Sequence, residues 1–167
     1  INGEKKSCFA MTEPGAGSDT RNIKMTAVKD GSDWVLNGEK TFITGGNEAD
    51  FVMAIAITDK ELHQSTQGRE GVTCFIVDRD MGWKSEYIHT MGEWGPAGLV
   101  FENVRVPKEN ILGELHKAYN LGLEWIGFAR WVVGATAVGA AERLLQMAID
   151  YSKERITFGK PIAERQA

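Results

Sequence analysis

The stretch CFAMTEPGAGSDT, residues 8–20, runs an apolar strand-like segment straight into a turn rich in hydroxyls and glycines. Thr12, Ser18 and Thr20 carry hydroxyls, Asp19 a carboxylate, and Pro14, Gly15 and Gly17 bend the chain around them. Successive backbone N–H groups at such a turn can cradle an anion, a phosphate above all. The plain alternative is a tight surface turn. A dinucleotide fingerprint is excluded, because Thr20 stands where G-x-G-x-x-G needs its last glycine and no helical pattern follows.

Three further places could do chemistry. Lys40-Thr41-Phe42-Ile43-Thr44-Gly45-Gly46 ends a strand with an aromatic ring, hydroxyls and two glycines. Arg155-Ile156-Thr157-Phe158-Gly159 closes a long helical pattern, and by itself it reads as a cation at a helix C-terminus followed by a glycine cap. Arg130 sits in the middle of an apolar, small-residue helix, where a buried guanidinium needs an anion or hydrogen-bonding partner. A structural carboxylate and a ligand explain it equally well.

The elements that must position these residues fall into two regimes. Residues 1 to about 112 read as β structure: CFAMT, KMTAVKD, DWVLNG, KTFIT, DFVMAIAIT, GVTCFIVD and LVFENVRV are short runs rich in β-branched and aromatic residues. Turn signals such as DGSD, NGEK, TGGN and RDMG separate them, and Asn37-Gly38 is expected at the turn of a hairpin. With no helical periodicity between the runs, they predict an antiparallel sandwich or barrel. From about 117 to 153 the period changes to that of a helix, with Leu121, Trp125, Phe128 and Val132 on one face. Gly134, Ala135, Ala137, Gly139, Ala140 and Ala141 leave a surface that lets another helix approach closely. Such a helix needs packing partners, and none is evident in this chain. Lys160-Pro161 marks a break, and residues 162–167 are expected to begin another helix. The fold class is therefore α+β: a β domain over 1–112, then over 113–167 the leading helix and turn of an incomplete all-α bundle.

Bulk composition narrows the classes. The chain has 167 residues and a formal net charge of −4, with no local Lys/Arg cluster, which argues against nucleic acid as a partner. Cys8 and Cys74 lie in apolar runs and are expected as buried thiols; His63, His89 and His116 stand too far apart for a metal site, and none is expected. The apolar run at 125–141 is shorter than the ~20 residues of a membrane span and contains Arg130, so a buried helix is expected. The first residue is Ile1, which suggests a chain that begins within something longer.

Taken together, CFAMTEPGAGSD, NGEKTFITGG, FENVRVPKENILG and ERITFGKPIAERQA, in that order and spacing, resemble the acyl-CoA dehydrogenase family. Those flavoproteins introduce an α,β double bond into acyl-CoA thioesters. The resemblance implies a central β domain followed by the first helix of a C-terminal bundle, with FAD as cofactor. It implies that the segment from Phe9 through Met11 to Thr12 lies along the pyrimidine edge of the flavin, and that Ser18 sits near the pyrophosphate and the CoA entry. Phe42 occupies the position of a tryptophan flanking the ring, and Thr44 that of the threonine whose hydroxyl bonds N5. Arg155, Phe158 and Gln166 match residues that reach the FAD of a neighbouring subunit, and Arg130 matches an arginine near the thioester. The implied partners are acyl-CoA, an electron-transfer flavoprotein and identical subunits in a dimer or tetramer, in bacterial cytosol or mitochondrial matrix.

Departures from the family pattern also carry information. The catalytic glutamate is expected downstream of Ala167; the alternative position on the long helix is Ala129, and Glu124 points about 140° away from it at ~100° per residue. No catalytic residue is therefore expected within the chain. Gly127 stands where many members carry an acid, Trp94 where an arginine is common, and His116 where a glycine is usual. Two other readings remain open: an acyl-CoA oxidase or flavin monooxygenase on the same fold, and a non-catalytic assembly module that retains it.

Overall fold

The computed structural model describes residues 2–92 and 95–165, which fall into two units, Ile1–Leu123 and Glu124–Ala167. In the first unit the strands are β1 (Ser7–Ala10), β2 (Thr26–Asp30), β3 (Asp33–Ile43), β4 (Phe51–Ile57), β5 (Val72–Asp78), β6 (Lys84–Tyr87), β7 (Ala97–Val106) and β8 (Ile111–Leu112). They form one sheet in the order β6-β7-β3-β2-β4-β5-β8, with β1 paired to β4. Apolar residues at alternate positions turn inward: Trp34 and Leu36 on β3, and Ala97, Leu99 and Phe101 on β7, are all buried. Strands distant in the sheet order meet through their side chains, since the Trp34 ring on β3 lies 5.9 Å from Phe75 on β5. The sheet thus curls over its own apolar face into a sandwich-like domain, without closing into a barrel.

The sheet is mixed where the alternating runs alone suggest antiparallel pairing. Ser7–Ala10 runs parallel to Phe51–Ala54, and Thr26 pairs in parallel with Ile57. A long connection separates β1 from β4, so no hairpin constrains their direction.

Asn37-Gly38 is not a turn. Both residues lie inside the continuous strand β3, whose register against β7 shifts between Leu36 and Gly38. The hairpin closes instead over Gly31-Ser32, with Asp30 opposite Asp33. Glycine is required at 38 for another reason: φ is +145°, and a Cβ there would fall 2.8 Å from the Cα of Met25. Asn37 spends its side-chain oxygen on the N–H of Asn103, 2.8 Å away.

A short helix, α1 (Lys60–Ser65), stands where no helical period is visible in the sequence. Its 6 residues are too few to show one. Its cap is legible nonetheless, as the Asp59 carboxylate accepts the Leu62 N–H at 2.9 Å.

Cys8 and Cys74 are both buried, and loss of solvation pushes their thiols up from 9.0 to about 11 and about 12. Neither should react with iodoacetamide at about pH 8 until the domain is unfolded in urea. The sign of the linkage follows. Folded thiols that hold their protons contribute stability fully below pH 9.0, and that contribution is lost as pH rises through about 11 and 12. Urea midpoints measured across that alkaline window should fall.

A single helix, α2 (Ala118–Glu154), runs 37 residues and carries the chain out of the first unit. Of its residues only Ala118 and Gly122 are buried. Trp125, Phe128, Trp131, Leu144 and Leu145 are exposed, so the cover expected for its apolar surface is not supplied by the described residues. By length and composition alone, part of the helix is apolar enough to cross a membrane. Beyond it, β9 (Ile156–Thr157) and β10 (Lys160–Pro161) form a miniature hairpin. Phe158-Gly159 is its two-residue turn, with φ of +48° and +82°, the left-handed pair of a type I′ turn rather than a helix cap. Ile162–Glu164 forms a single 3₁₀ turn in place of the expected helical start.

Candidate functional site

Thr12 and the end of β3 are brought together by one hydrogen bond, Thr41 N–H to the Thr12 carbonyl at 3.0 Å. The bond places Met11-Thr12 beside Thr41-Phe42-Ile43-Thr44, two segments well separated in the chain. Thr12 is half-buried and Thr44 exposed, and neither hydroxyl has a partner among the described residues. Phe42, next to Thr41 in the strand end, has φ of +55° and 61% of its surface exposed. A bulky residue in the left-handed region costs about 1–3 kcal/mol and is retained where the surrounding structure imposes it. Here the register slip between Lys40 and Ile43 imposes it.

The glycine turn is closed by Glu13 and Ala16, which exchange backbone hydrogen bonds at 3.1 and 3.0 Å around Pro14-Gly15. Ser18 and Asp19 beyond it are exposed. Neither Gly15 nor Gly17 lies at positive φ, so alternation of right- and left-handed residues is not how this turn would present N–H groups.

Beneath the turn lies a charge pair that the sequence reading passes over. Lys40 is fully buried; its Nζ donates to Glu13 Oε1 at 2.9 Å and to the Met11 carbonyl at 3.1 Å. Glu13 in turn accepts the Lys24 N–H at 2.5 Å and the Met25 N–H at 3.0 Å. Burial pushes the Lys40 ammonium below its usual range, and the Glu13 carboxylate pulls it back up. The clue is in the strand parity: Lys40 shares the inward phase of Trp34 and Leu36, a position where a lysine must be paired.

Arg79 is a second residue that the sequence reading passes over. Its guanidinium donates to the carbonyls of Gly46, Asn47 and Ala49 at 3.0, 2.8 and 3.1 Å and to Ser85 Oγ at 3.1 Å, and it stacks 3.8 Å above the Trp83 ring. These bonds hold the loop that follows Thr44. Substituting Arg79 by alanine should cost about 2–3 kcal/mol, read as a lower urea midpoint, because three loop carbonyls and the ring lose a charged partner at once.

The remaining expected residues are placed as follows. Phe9 is half-buried on β1 opposite Met53, and Met11 is buried. In the second unit Arg130 is exposed, Arg155 donates its N–H to the Tyr151 carbonyl at 2.9 Å, and Phe158 is 97% exposed with the Arg165 guanidinium 5.0 Å from its ring. Gln166 and Trp94 lie outside the described residues.

Residues 8–104 match the middle domain of acyl-CoA dehydrogenases, and residues 120–167 match the C-terminal domain. The chain belongs to the acyl-CoA dehydrogenase family. Among curated relatives, a subunit of the caffeyl-CoA reductase–Etf complex of Acetobacterium woodii is 42% identical over the whole chain and 44% of its own length. Butyryl-CoA dehydrogenase from Megasphaera elsdenii superposes with a TM-score of 0.87 at 37% identity, covering 96% of this chain and 42% of that one. A structure described as an FAD-dependent dehydrogenase gives a TM-score of 0.88 at 31% identity, covering 96% and 43%. The chain thus spans less than half the length of the relatives it matches.

His116, which stands before the long helix, adopts a backbone conformation that the surrounding structure accommodates. It holds φ of +68°, the conformation glycine adopts most easily. Its Nδ1 lies 2.8 Å from Thr58 Oγ1, its N–H donates to Thr73 Oγ1 at 2.9 Å, and its carbonyl accepts the Gly71 N–H at 2.8 Å. Three hydrogen bonds offset the backbone strain.

Proposed function

We propose that this chain is the flavin-binding β domain and leading bundle helix of an FAD-dependent acyl-CoA dehydrogenase that desaturates acyl-CoA thioesters between Cα and Cβ. The observation that carries the reading is Phe42, a strained and exposed aromatic residue at a strand end that the Thr41–Thr12 hydrogen bond sets beside Thr12, with the Thr12 and Thr44 hydroxyls unpartnered among the described residues. A planar ring with polar edges fits that donor set. Thr12, with the backbone of Phe9 and Met11, would hold the pyrimidine edge; Thr44 would donate at N5, and Phe42 would flank the ring. Bound there, the flavin supplies the acceptor for two electrons leaving the acyl chain. Donors aimed in advance at the edge where negative charge develops need no reorganisation when it arrives.

Ser18, on the exposed turn, would meet the pyrophosphate and the CoA entry, and Arg130 the thioester region. Arg155, Phe158 and Gln166 would reach the FAD of a neighbouring subunit in a dimer or tetramer, which accounts for an exposed aromatic at the tip of a strained turn. The base that removes the α-proton is assigned to a glutamate beyond residue 167, because Ala129 has no acidic group and Glu124 is an exposed charge on the helix. An electron-transfer flavoprotein would exchange electrons with the enzyme; the Acetobacterium relative is named as a subunit of a reductase–Etf complex.

The test is the visible spectrum of the purified full-length protein, followed anaerobically as acyl-CoA thioesters of several chain lengths are added. A flavin spectrum that bleaches on addition is the expected result. A flavin that stays oxidised with every thioester overturns the dehydrogenase reading but leaves the cofactor site standing. A full-length protein that carries no flavin, even after incubation with FAD, overturns both.

A further inference from the structure

We propose that Lys40, together with Glu13, tunes the reduction potential of the bound flavin by polarising the Met11–Thr12 peptide from beneath. The inference rests on the reading of the Met11–Thr12 segment as the flavin edge. Lys40 Nζ donates to the Met11 carbonyl, and the N–H of that same peptide unit belongs to Thr12. That N–H has no partner among the described residues. A carbonyl that accepts a hydrogen bond from a buried cation makes its own amide a stronger donor on the far side.

The pair is also oriented. Its cationic end lies against the Met11 carbonyl, while the Glu13 carboxylate is engaged by the Lys24 and Met25 amides at 2.5 and 3.0 Å. With both side chains at most 5% exposed, solvent screens this dipole little. Lys40 touches neither the flavin nor the substrate in this arrangement, so it is a positioning and tuning residue. Its positive end favours the electron-rich, reduced ring over the oxidised one.

The experiment is spectroelectrochemical titration of full-length holoprotein, wild type against E13Q and K40M/E13Q. Glu13 takes the Lys24 and Met25 N–H groups on separate oxygens, and the amide introduced by E13Q keeps one of them, so the double variant removes both charges at the cost of one backbone N–H left without its acceptor. K40M/E13Q should lose about tenfold in its preference for reduced over oxidised flavin, a downward shift of about 30 mV for a two-electron couple. E13Q leaves the ammonium without its counter-charge and, titrated at about pH 6 so that the buried lysine keeps its proton, should shift the potential upward. Opposite signs are the signature, because general loosening of the site would move both variants the same way. Equal potentials, or shifts of one sign in both, overturn the inference. If K40M/E13Q does not accumulate as a folded holoprotein, E13Q decides alone, and an unchanged or lowered potential overturns it. A wild-type protein that binds no flavin removes the site reading and this inference together; a flavin-bearing wild type with unshifted variants removes only this one.

Discussion

Replacing Lys40 with methionine should cost the β domain about 3–5 kcal/mol, read as a large fall in the urea midpoint of the full-length protein. The side chain is wholly buried and Glu13 is 5% exposed, so the substitution leaves a carboxylate in the interior with only two backbone amides to solvate it. The Met11 carbonyl loses its partner as well. Methionine matches the volume closely, which removes cavity formation as an explanation. The paired variant K40M/E13Q should recover part of the loss, since it removes the buried charge but leaves the Met11 carbonyl and one backbone N–H unpaired. A double-mutant cycle across 13 and 40 should therefore show coupling well above the few tenths of a kcal/mol expected of independent sites. Additive effects would show that Glu13 is held by its amides alone.

Gly71→Ala should be strongly damaging for a single methyl, at about 3–4 kcal/mol. Gly71 has φ of +77°, and a Cβ there would stand 2.4 Å from the Asp59 carbonyl oxygen and 2.6 Å from the His63 backbone nitrogen. Both are backbone atoms, so no side chain can swing aside. Gly71 is also bound on both sides: its carbonyl accepts the N–H groups of Thr58 and Asp59, and its N–H donates to His116. Moving it would pull on the start of α1 and on the strained residue before α2 together. The contrast is Gly15→Ala, which meets nothing within 4 Å and lacks positive φ, and should leave the midpoint unchanged within about 0.5 kcal/mol.

The strands that the sequence announces by composition are those whose residues face the core. FVMAIAI and VTCFIVD are buried almost throughout, and both are strands in the structure. β6, with the sequence KSEY, could not announce itself, because it is an exposed edge strand held by pairing with β7 rather than by an apolar face. Asn37-Gly38 misleads for a related reason. The dipeptide is a strong local turn signal, but the chain there is governed by the close approach of Met25, a residue that no local window contains.

The candidate site divides along the same line. Thr12, Ser18, Phe42, Thr44, Arg155 and Phe158 are legible because their types and order in sequence form a pattern, and the family to which the chain belongs is legible with them. That Thr12 lies beside Thr41, that Phe42 is forced into a left-handed conformation, and that Arg79 holds the loop beyond Thr44 are consequences of register and packing. So is the buried pair of Glu13 and Lys40, 27 residues apart. Sequence determines which side chains carry hydroxyls, rings and charges, and which stretches will bury themselves. Only the folded sheet decides which of those groups lose water together, and it is that shared desolvation that turns a lysine on a strand into an electrostatic element of the site.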